Sequence, residues 1–456
     1  MQEYITELSK YGIAICMMLY TICCFVSLCG KNEKVHGLYT VQSILMFLMQ
    51  LLLFLDLALV SGDMQYVFFY VFVQIFLLAA VIMVPIIYEE VNRPLLNIMC
   101  MLLGIGLCII SRLSFNKAVK QYIIVLMSLT ISLFIPYLLS RIKFLKKLTW
   151  IYGLAGIVAL GIVLLVGEYT HGSKITFTIK DITFQPSEFV KILLIFFLAA
   201  ALWEKTSFLR VALTAVIAGL EVIILVASKD LGSALIFFVA YVFVVFIATR
   251  NYLYLIAGAV GGSAAAYAAY RLFTHVQTRV SAWLDPWAYI DNKGWAVTQS
   301  LFAIGSGSWF GMGLLQGNPK AIPYVDQDFI FSSVCEELGV IFGICLILVI
   351  VSCFLTMMKI SVQIHDRFYQ LIVYGIGIMY IFQIFLTVGG GVNLIPLTGV
   401  TLPFISYGGS SCMTTMIMFF IIQGIYIRLQ QGGGKHVGRK KAGATDRQLK
   451  ENQTAE

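Results

Sequence analysis

The sequence predicts an all-α integral membrane protein, a polytopic helical bundle of about 13 transmembrane helices. Of its 456 residues, 60% are hydrophobic and only 12% are charged, whereas about a quarter of the residues in a soluble domain are charged. Apolar stretches of roughly 20 residues, the length that a helix needs to cross a bilayer, recur from Tyr11 onward. Short polar segments separate these stretches. The composition and this pattern argue against a water-soluble fold.

The transmembrane helices are expected where the apolar stretches lie, and most connections between them are short. Only Lys229 and Asp230 separate two of the stretches, so a single broken helix is an alternative there. The predicted spans are 11–29, 40–61, 65–88, 96–111, 119–139, 149–167, 187–203, 208–228, 231–249, 252–271, 331–356, 368–390 and 407–428.

The distribution of charge predicts the topology. The formal net charge is +8, but the lysines and arginines lie in short loops and in the tail rather than on one face, which argues against a nucleic-acid partner. Cytoplasmic loops collect basic residues, so the tail after Tyr426 is expected inside. Counting back through thirteen spans places the N-terminus outside, together with 168–186, 272–330 and 391–406. The polar segment 431–456 is expected to be a disordered basic cytoplasmic tail.

The ten cysteines do not predict a disulfide framework. Most of them lie inside apolar stretches and lack the paired loop spacing of disulfide-rich domains. We therefore interpret them as small apolar packing residues.

Acidic residues gather where the long outer loop meets the next predicted helix. Asp328 precedes a short apolar run, and Glu336 and Glu337 follow it inside the helix. Carboxylates that enter an apolar helix are costly unless they are solvated, paired or bound to a cation. Asp328 could therefore act as a base with a raised pKa, or help to hold a divalent ion. Capping of the helix N-terminus is an equally good explanation from chemistry alone.

A second candidate opens the predicted span 187–203. Pro186 and Ser187 suit the start of a helix, and Glu188 and Lys191 are close enough on one face to form an ion pair. A purely structural pair is one interpretation. Because Lys191 lies a full turn inside an apolar helix, an interior that holds water or a ligand is the other, and the lysine could contact an anionic headgroup.

Other features of the sequence are weaker signals. The segment 393–411 contains two prolines and several glycines, as irregular backbone that lines a membrane cavity does. Asp56 and Glu221 lie near the middle of apolar spans and are expected to face the bundle interior and to form hydrogen bonds there, with a proton or ion path as the alternative. Zinc spacings, hydrolase elbows and ATP-binding loops are absent from the sequence, which disfavours a pump with its own ATPase.

Taken together and in order, six stretches resemble the signature of the shape, elongation, division and sporulation (SEDS) family. They extend over more than half of the predicted core and are far more specific jointly than singly. The stretches are FQPSEFVK at 184–191, KDLGSA at 229–234, RVSAWLDP at 279–286, QSLFAIGSG at 299–307, DFIFSSVCEELG at 328–339 and PLTGVTLPFISYGGSS at 396–411.

The resemblance implies a domain organisation. Residues 96–430 would form the ten-helix catalytic core of the family. The large extracellular loop 272–330 would be part of this core. Residues 1–95 would add an N-terminal membrane extension of three helices, which the family usually lacks. The role of this extension does not follow from the sequence.

The resemblance also implies an activity. SEDS proteins are peptidoglycan glycosyltransferases that polymerise lipid II at the outer face of the bacterial cytoplasmic membrane and release undecaprenyl pyrophosphate. The family's catalytic base corresponds to Asp328. A lipid II flippase is the alternative, and a non-catalytic scaffold is a third. The motifs do not distinguish a role in elongation, division or sporulation.

Further site residues follow from the same resemblance. Lys191 and Arg279 would balance the charge of the pyrophosphate, while Glu188 and Glu337 would orient or support them. Ser410, in the last motif, joins the substrate-binding set. An arginine that is usual in the family is replaced, so that its role falls to Lys174 or is missing. A divalent cation, Mg²⁺ or Mn²⁺, could assist, although no motif demonstrates a metal site.

The implied partners are lipid II, the nascent glycan strand, membrane lipid and a class B penicillin-binding transpeptidase. No transpeptidase motif is present in this sequence, and no nucleic-acid partner is expected.

Overall fold

The computed structural model describes the backbone of the chain except for residues 1, 31–34, 143, 171–172, 180–181 and 454–456. The side chains of 2–5, 35–36, 168–170, 173–175, 178–179, 182–183 and 432–453 also lie outside the description.

The described chain is a helical bundle that begins with three helices before residue 96. These are α1 (Gln2–Cys29), α2 (Val35–Ser61) and α3 (Gln65–Ile87). The helices that follow are α4 (Arg93–Leu113), α5 (Phe115–Arg141), α6 (Thr149–Val166), α7 (Pro186–Leu202), α8 (Phe208–Ala227), α9 (Leu231–Thr249), α10 (Leu253–Leu272), α11 (Thr274–Leu284), α12 (Trp295–Gly307), α13 (Ile330–Gln363), α14 (Arg367–Gly391) and α15 (Gly409–Gln453).

The structure confirms a polytopic bundle but not the count of thirteen spans. Among the described helices, 12 are long and apolar enough to cross a membrane. The predicted span 187–203 corresponds to α7, which has 17 residues and is mostly buried. A helix enclosed by other helices does not have to match the full thickness of the hydrocarbon layer, for which roughly 20 residues are needed.

The uncertain boundary at Lys229 and Asp230 is a true break between two helices. α8 ends at Ala227, Lys229 adopts a positive φ of 61°, and α9 begins at Leu231. Asp230 caps α9, because its Oδ1 accepts a hydrogen bond from the backbone N of Ser233 at 3.0 Å. The two helices then pack against each other, so the prediction of two separate spans is confirmed.

Two segments that were predicted to lie outside the membrane contain more structure than connecting loops. The long loop 272–330 includes α11 and α12. The segment after α6 forms a small antiparallel sheet in the order β1 (Glu168–Thr170), β2 (Ser173–Ile179) and β3 (Ile182–Phe184). This sheet departs from the all-α prediction, and β2 has the mix of threonine, isoleucine and phenylalanine that suits strands.

α4 lies at the centre of one half of the bundle. Nearly all of its residues are buried, and it packs against α2, α3, α5 and α13. α1 packs against α2 and α13, so the three N-terminal helices cover one side of the helices that follow. Ser9 Oγ donates to the buried Asp56 Oδ2 at 2.5 Å and ties α1 to α2.

The prediction for Glu221 is confirmed only in part. Glu221 is fully buried against Gly156 of α6, as expected. The expected hydrogen bonds are missing, because neither of its carboxylate oxygens has a partner within the described part of the chain. All ten cysteines lie within the described residues, and each is free.

The last helix leaves one prediction open. α15 continues to Gln453, whereas its membrane-spanning part ends at Gln431. The side chains beyond Gln431 lie outside the description. The disorder predicted for 431–456 therefore stays a prediction.

α13 is interrupted near its start, at Gly339, where φ is 89° and ψ is 162°. The interruption would leave backbone groups of the helix without hydrogen-bond partners. Segment 308–313 provides these partners. Val340 N donates to Ser308 O at 3.0 Å, and Met312 N donates to Glu336 O at 2.9 Å. The broken helix is therefore stabilised by a segment of the long loop 272–330, which satisfies the requirement that membrane-embedded backbone be hydrogen-bonded.

Candidate functional site

Asp328 lies in a turn immediately before α13. Tyr324 O accepts hydrogen bonds from the backbone N of Gln327 at 3.0 Å and of Asp328 at 3.2 Å. The next two residues, Phe329 and Ile330, are completely buried. The burial of Phe329 and Ile330 fixes the start of α13. The turn holds Asp328, which is partly buried, at the edge of this helix.

The segment between α14 and α15 holds this turn from the other side. Tyr407 N donates to Asp326 O at 2.7 Å, and Ser406 Oγ donates to Gln327 O at 2.6 Å. The glycine- and proline-containing segment 393–411 therefore forms part of the wall around Asp328, as the sequence indicated for a cavity lining.

Arg279, on α11, approaches Asp328 across a gap that a glycine leaves open. Its Nη1 donates to Leu397 O at 3.1 Å. A Cβ atom at Gly399 would lie 3.6 Å from Arg279 Nη2 and 3.9 Å from Asp328 Oδ2. Gly399 also adopts a φ of +77°, which favours glycine. Two residues that the sequence predicted for the site are thus brought to the same place.

The environment of Asp328 suits a base that operates near neutral pH. Burial raises the pKa of its carboxyl from 3.8 to about 7; the charge of Arg279 acts in the opposite direction, and the charge of Asp326 adds to the increase. A carboxylate with a pKa near the working pH can take up a proton in the reaction and release it afterwards.

Lys117 and Asp326 complete the charges around Asp328. Lys117, on α5, lies with its Nζ 2.6 Å from Asp326 Oδ2 and 5.4 Å from the centre of the Tyr407 ring. Sequence reasoning did not select either residue for a role. Lys117 follows the pattern of a basic residue at a helix end, which by itself indicates only topology, and its partner is 209 residues away along the chain.

Glu188 and Lys191 form the predicted pair inside the bundle. Lys191 is fully buried, and its Nζ lies 2.8 Å from both carboxylate oxygens of Glu188 and 3.0 Å from Gln383 Oε1. Thr414 Oγ1 donates to Glu188 Oε2 at 3.2 Å. Glu188 therefore already neutralises the ammonium group, and a contact between Lys191 and a substrate phosphate stays a prediction.

Asp230 links this pair to the Asp328 region. Gln185 Nε2 and Ser187 Oγ lie 3.4 Å from Asp230 Oδ2, and Ser410 Oγ accepts from Gln185 N at 3.0 Å. Burial lowers the pKa of Arg279, while the charges of Asp328 and Asp230 act in the opposite direction. Both acidic groups therefore stabilise the charged form of Arg279.

Glu337 lies apart from these groups and supports the long loop 272–330. Its Oε1 accepts from Arg112 Nε at 2.8 Å and from Leu315 N at 3.1 Å. Arg112 Nη2 donates in turn to Gly317 O at 3.2 Å. The geometry favours the supporting role that was predicted for Glu337 over direct contact with a substrate.

Two further expectations concern Lys174 and a metal ion. Lys174 lies in β2, and its side chain is outside the description. Within the described residues, no group of three or more histidines, cysteines, aspartates or glutamates could hold a metal ion. The sequence had left the metal requirement open.

An apolar cavity of about 450 Å³ lies next to Arg279, between α8, α9, α10 and α14. Arg279 is the one charged side chain among the described residues that line it. Apolar residues dominate the lining, including Leu231, Phe238, Ala265, Phe385 and Pro396. The cavity therefore offers a hydrocarbon surface that ends at a guanidinium group.

Comparisons with known proteins identify relatives of this chain. The FTSW_RODA_SPOVE family model, described as "Cell cycle protein", matches residues 93–431. The chain is 31% identical over 357 residues to the peptidoglycan glycosyltransferase RodA of Mycobacterium tuberculosis, covering 72% of this chain and 76% of that protein. It is 34% identical over 265 residues to the stage V sporulation protein E of Bacillus subtilis, covering 56% of this chain and 71% of that protein.

Solved structures show the same fold. A chain of a peptidoglycan synthase complex that coordinates polymerization and crosslinking aligns with a TM-score of 0.64 at 23% identity, covering 75% of this chain and 99% of that chain. The rod shape determining protein RodA of Thermus thermophilus aligns with a TM-score of 0.54 at 22% identity, covering 74% of this chain and 96% of that chain. The match of the family model over residues 93–431 accounts for the SEDS motifs. The chain belongs to the FtsW, RodA and SpoVE family.

Proposed function

We propose that this protein is a peptidoglycan glycosyltransferase that polymerises lipid II into glycan strands at the outer face of the cytoplasmic membrane. The observation that carries the proposal is the proximity of Asp328, whose pKa burial raises to about 7, to Arg279 at the end of an apolar cavity. Relatives that bear the name peptidoglycan glycosyltransferase support the activity.

The residues suit a single displacement at the anomeric carbon of the donor sugar. Asp328 accepts the proton of the acceptor's 4-hydroxyl, and the oxygen attacks the anomeric carbon on the face opposite the pyrophosphate. The new β-1,4 bond forms as the bond to the pyrophosphate oxygen breaks, with inversion. Arg279 offsets the negative charge that the leaving undecaprenyl pyrophosphate acquires. The proton on Asp328 is then released to solvent.

The apolar cavity suits the lipid part of the substrate. A polyprenyl chain is a hydrocarbon, and the cavity offers an apolar lining of about 450 Å³. Arg279 at its edge would meet the pyrophosphate at the head of the chain. This arrangement would place the anomeric carbon near Asp328.

The proposed topology has Asp328 outside and the C-terminus in the cytoplasm. α13 runs from the Asp328 turn to Gln363, so basic residues near its far end lie on the other side of the membrane. One of them is Lys146, whose Nζ lies 2.7 Å from Asp366 Oδ2 just before α14. The positive-inside rule then assigns that end to the cytoplasm.

We propose a class B penicillin-binding transpeptidase as the partner, because a similar solved chain is part of a complex that coordinates polymerization and crosslinking. Lipid II, the growing glycan strand and membrane lipid complete the set of partners. Elongation, division and sporulation remain equally compatible with the site.

The test is glycan polymerisation from lipid II by the purified full-length protein in liposomes, with and without a candidate transpeptidase. Asp328→Asn should reduce the rate by at least about 100-fold, since a positioned base contributes that much. Asp291→Asn, which changes an exposed carboxylate of the same outer loop, should retain the rate.

A folded Asp328→Asn variant that polymerises lipid II at the wild-type rate would overturn the assignment of the base. If the wild-type protein forms no polymer with any partner but moves lipid II across the liposome membrane, the flippase alternative replaces the polymerase.

A further inference from the structure

A second large cavity lies at the end of the bundle opposite Asp328. It has a volume of about 730 Å³ and lies between the end of α9, the start of α10 and the start of α14. α13 separates the two regions, because it begins beside Asp328 and ends just before His365, which lines the cavity. The proposed polymerisation reaction makes no use of this cavity.

The cavity is cationic. Arg250, His365 and Arg367 line it, and no aspartate or glutamate occurs among its lining residues, all of which the structure describes. The neighbouring acid, Asp366, points to other partners: both of its oxygens accept from Lys146 Nζ, at 2.9 Å and 2.7 Å. The two arginines do not appear among the ion pairs that the described residues form.

The two arginines are held near each other by the backbone. Arg367 Nη2 donates to Ala248 O, two residues before Arg250. This hydrogen bond leaves the remaining guanidinium donors of Arg367 available to a ligand. Both arginine residues are exposed to the cavity side of the bundle.

Arg250 occupies a position that arginine does not favour. It forms the C-cap of α9 in the left-handed region, with φ 55° and ψ 26°. Glycine or asparagine is usual at such a position, because other side chains are strained there. The strain is a second observation that points to a use for the charged side chain, since strained residues gather at functional sites.

The rest of the lining suits the boundary between headgroups and hydrocarbon. Tyr252, which is 70% exposed, and Tyr374 provide hydroxyl groups on aromatic rings, while Phe246, Ile247 and Leu371 form an apolar side. Tyrosine is enriched at this depth of a membrane. A soluble ligand would make no favourable contact with an apolar side that adjoins the lipid-facing helices.

We propose that this cavity binds the phosphate headgroup of an anionic membrane lipid, with the acyl chains along the adjoining helices. The arginines supply charge-assisted hydrogen bonds to the phosphate oxygens, and basic pockets between membrane helices are a known type of lipid site. Scattered basic residues that only set topology would not need to share a cavity.

The test is native mass spectrometry of the full-length protein, titrated with phosphatidylglycerol or with phosphatidylcholine in the same detergent. The wild type should retain phosphatidylglycerol in preference to phosphatidylcholine. The double variant Arg250→Asn and Arg367→Gln should bind phosphatidylglycerol at least about tenfold more weakly. Asparagine at 250 tolerates the left-handed backbone, so this variant is expected to fold.

Two controls make the result specific. Arg141→Gln removes an exposed arginine outside the cavity and should leave the affinity unchanged. The double variant Arg250→Lys and Arg367→Lys keeps both charges and should recover most of the binding. Repeating the titration in Asp328→Asn separates this proposal from the polymerase proposal, because lipid binding here does not require that carboxylate.

Three results would overturn the proposal. The first is wild-type affinity in the Asn/Gln double variant, and the second is an equal loss in Arg141→Gln, which would indicate diffuse charge. The third is displacement of the lipid by millimolar inorganic phosphate, which would assign the cavity to a soluble phosphate compound instead.

Discussion

Lys117 Nζ lies 2.6 Å from Asp326 Oδ2 and thereby ties α5 to the turn that carries Asp328. Asp326 is also the carboxylate whose charge raises the pKa of Asp328, while Arg279 acts in the opposite direction. The proton affinity of Asp328 thus depends on two neighbours of opposite sign. Their removal should shift the pH dependence of polymerisation in opposite directions.

Arg279→Gln should move the acid limb of the pH–rate profile to higher pH. The active form of a base is the deprotonated carboxylate, so the rate rises as pH passes its pKa. Removing the positive charge destabilises that form and raises the pKa of Asp328 above about 7. An increase of about one pH unit is expected for a close charge. The measurement is the polymerisation rate between acidic and alkaline pH, and an unmoved limb would contradict the proposed coupling.

Asp326→Asn should move the same limb to lower pH. The substitution removes a negative charge that raises the pKa of Asp328, and it frees the positive charge of Lys117 to act in the same direction. The profile is measured under the same conditions, with Asp291→Asn as a control that should not shift it. A shift in the same direction as that of Arg279→Gln would refute this account.

Arg112→Met should destabilise the protein strongly. It leaves the carboxylate of Glu337 buried without the guanidinium that now lies 2.8 Å away. Breaking a buried ion pair by removing one partner lowers the free energy of unfolding by about 3–5 kcal/mol. Denaturant unfolding in detergent measures the change.

The matched control for that experiment is Lys10→Met. Lys10 Nζ lies 2.6 Å from Glu7 Oε2, but the Glu7 side chain is 60% exposed. Such a pair contributes at most about 1 kcal/mol. Equal losses in the two variants would show that the burial of Glu337 does not determine the effect.

Two glycines of α4 should respond differently to alanine. A Cβ at Gly106 would lie 2.3 Å from Phe404 O and 2.8 Å from Ile405 Cα, so Gly106→Ala must displace the backbone of segment 393–411. A Cβ at Gly104 would lie 2.2 Å from Nε2 of Gln50, the end of a flexible side chain that can rotate away.

Because segment 393–411 holds the Asp328 turn, Gly106→Ala should lower the polymerisation rate by about 100-fold, as displacements of about 1 Å at a catalytic site can. Gly104→Ala should retain most of the rate. The rates are compared in proteins with matched expression and monodisperse elution. A fully active Gly106→Ala variant would show that the turn does not depend on this contact.

The sequence predicted the helices well because backbone groups in lipid must be hydrogen-bonded within the segment. An apolar run of sufficient length therefore specifies a helix with little help from its neighbours, and the break at Lys229 needed only two polar residues. The exceptions have tertiary causes: α7 is short because other helices enclose it, and β2 depends on pairing with β1 and β3.

The site was predictable only in part. Asp328 was identified by its position before an apolar helix and by its motif. The pair of Lys117 with Asp326 beside it was not predicted, because these residues are 209 positions apart. The supporting pair of Arg112 with Glu337, elsewhere in the bundle, is separated by 225 residues. No local pattern specifies which distant residues will meet. The cavity beside Arg279 also requires α14 to pack against the consecutive helices α8, α9 and α10, from which it is distant in sequence.

The enclosure of α4 bears on how the chain is made. α4 carries Asn97 and Arg112, whose side chains find partners inside the protein: Asn97 Nδ2 donates to Tyr39 O at 3.2 Å, from α2. The family match begins at residue 93, yet a chain started there would leave this face of α4 against lipid, where an unpaired amide is costly. During synthesis α1–α3 emerge first, so the partner of Asn97 is already in the membrane when α4 leaves the ribosome.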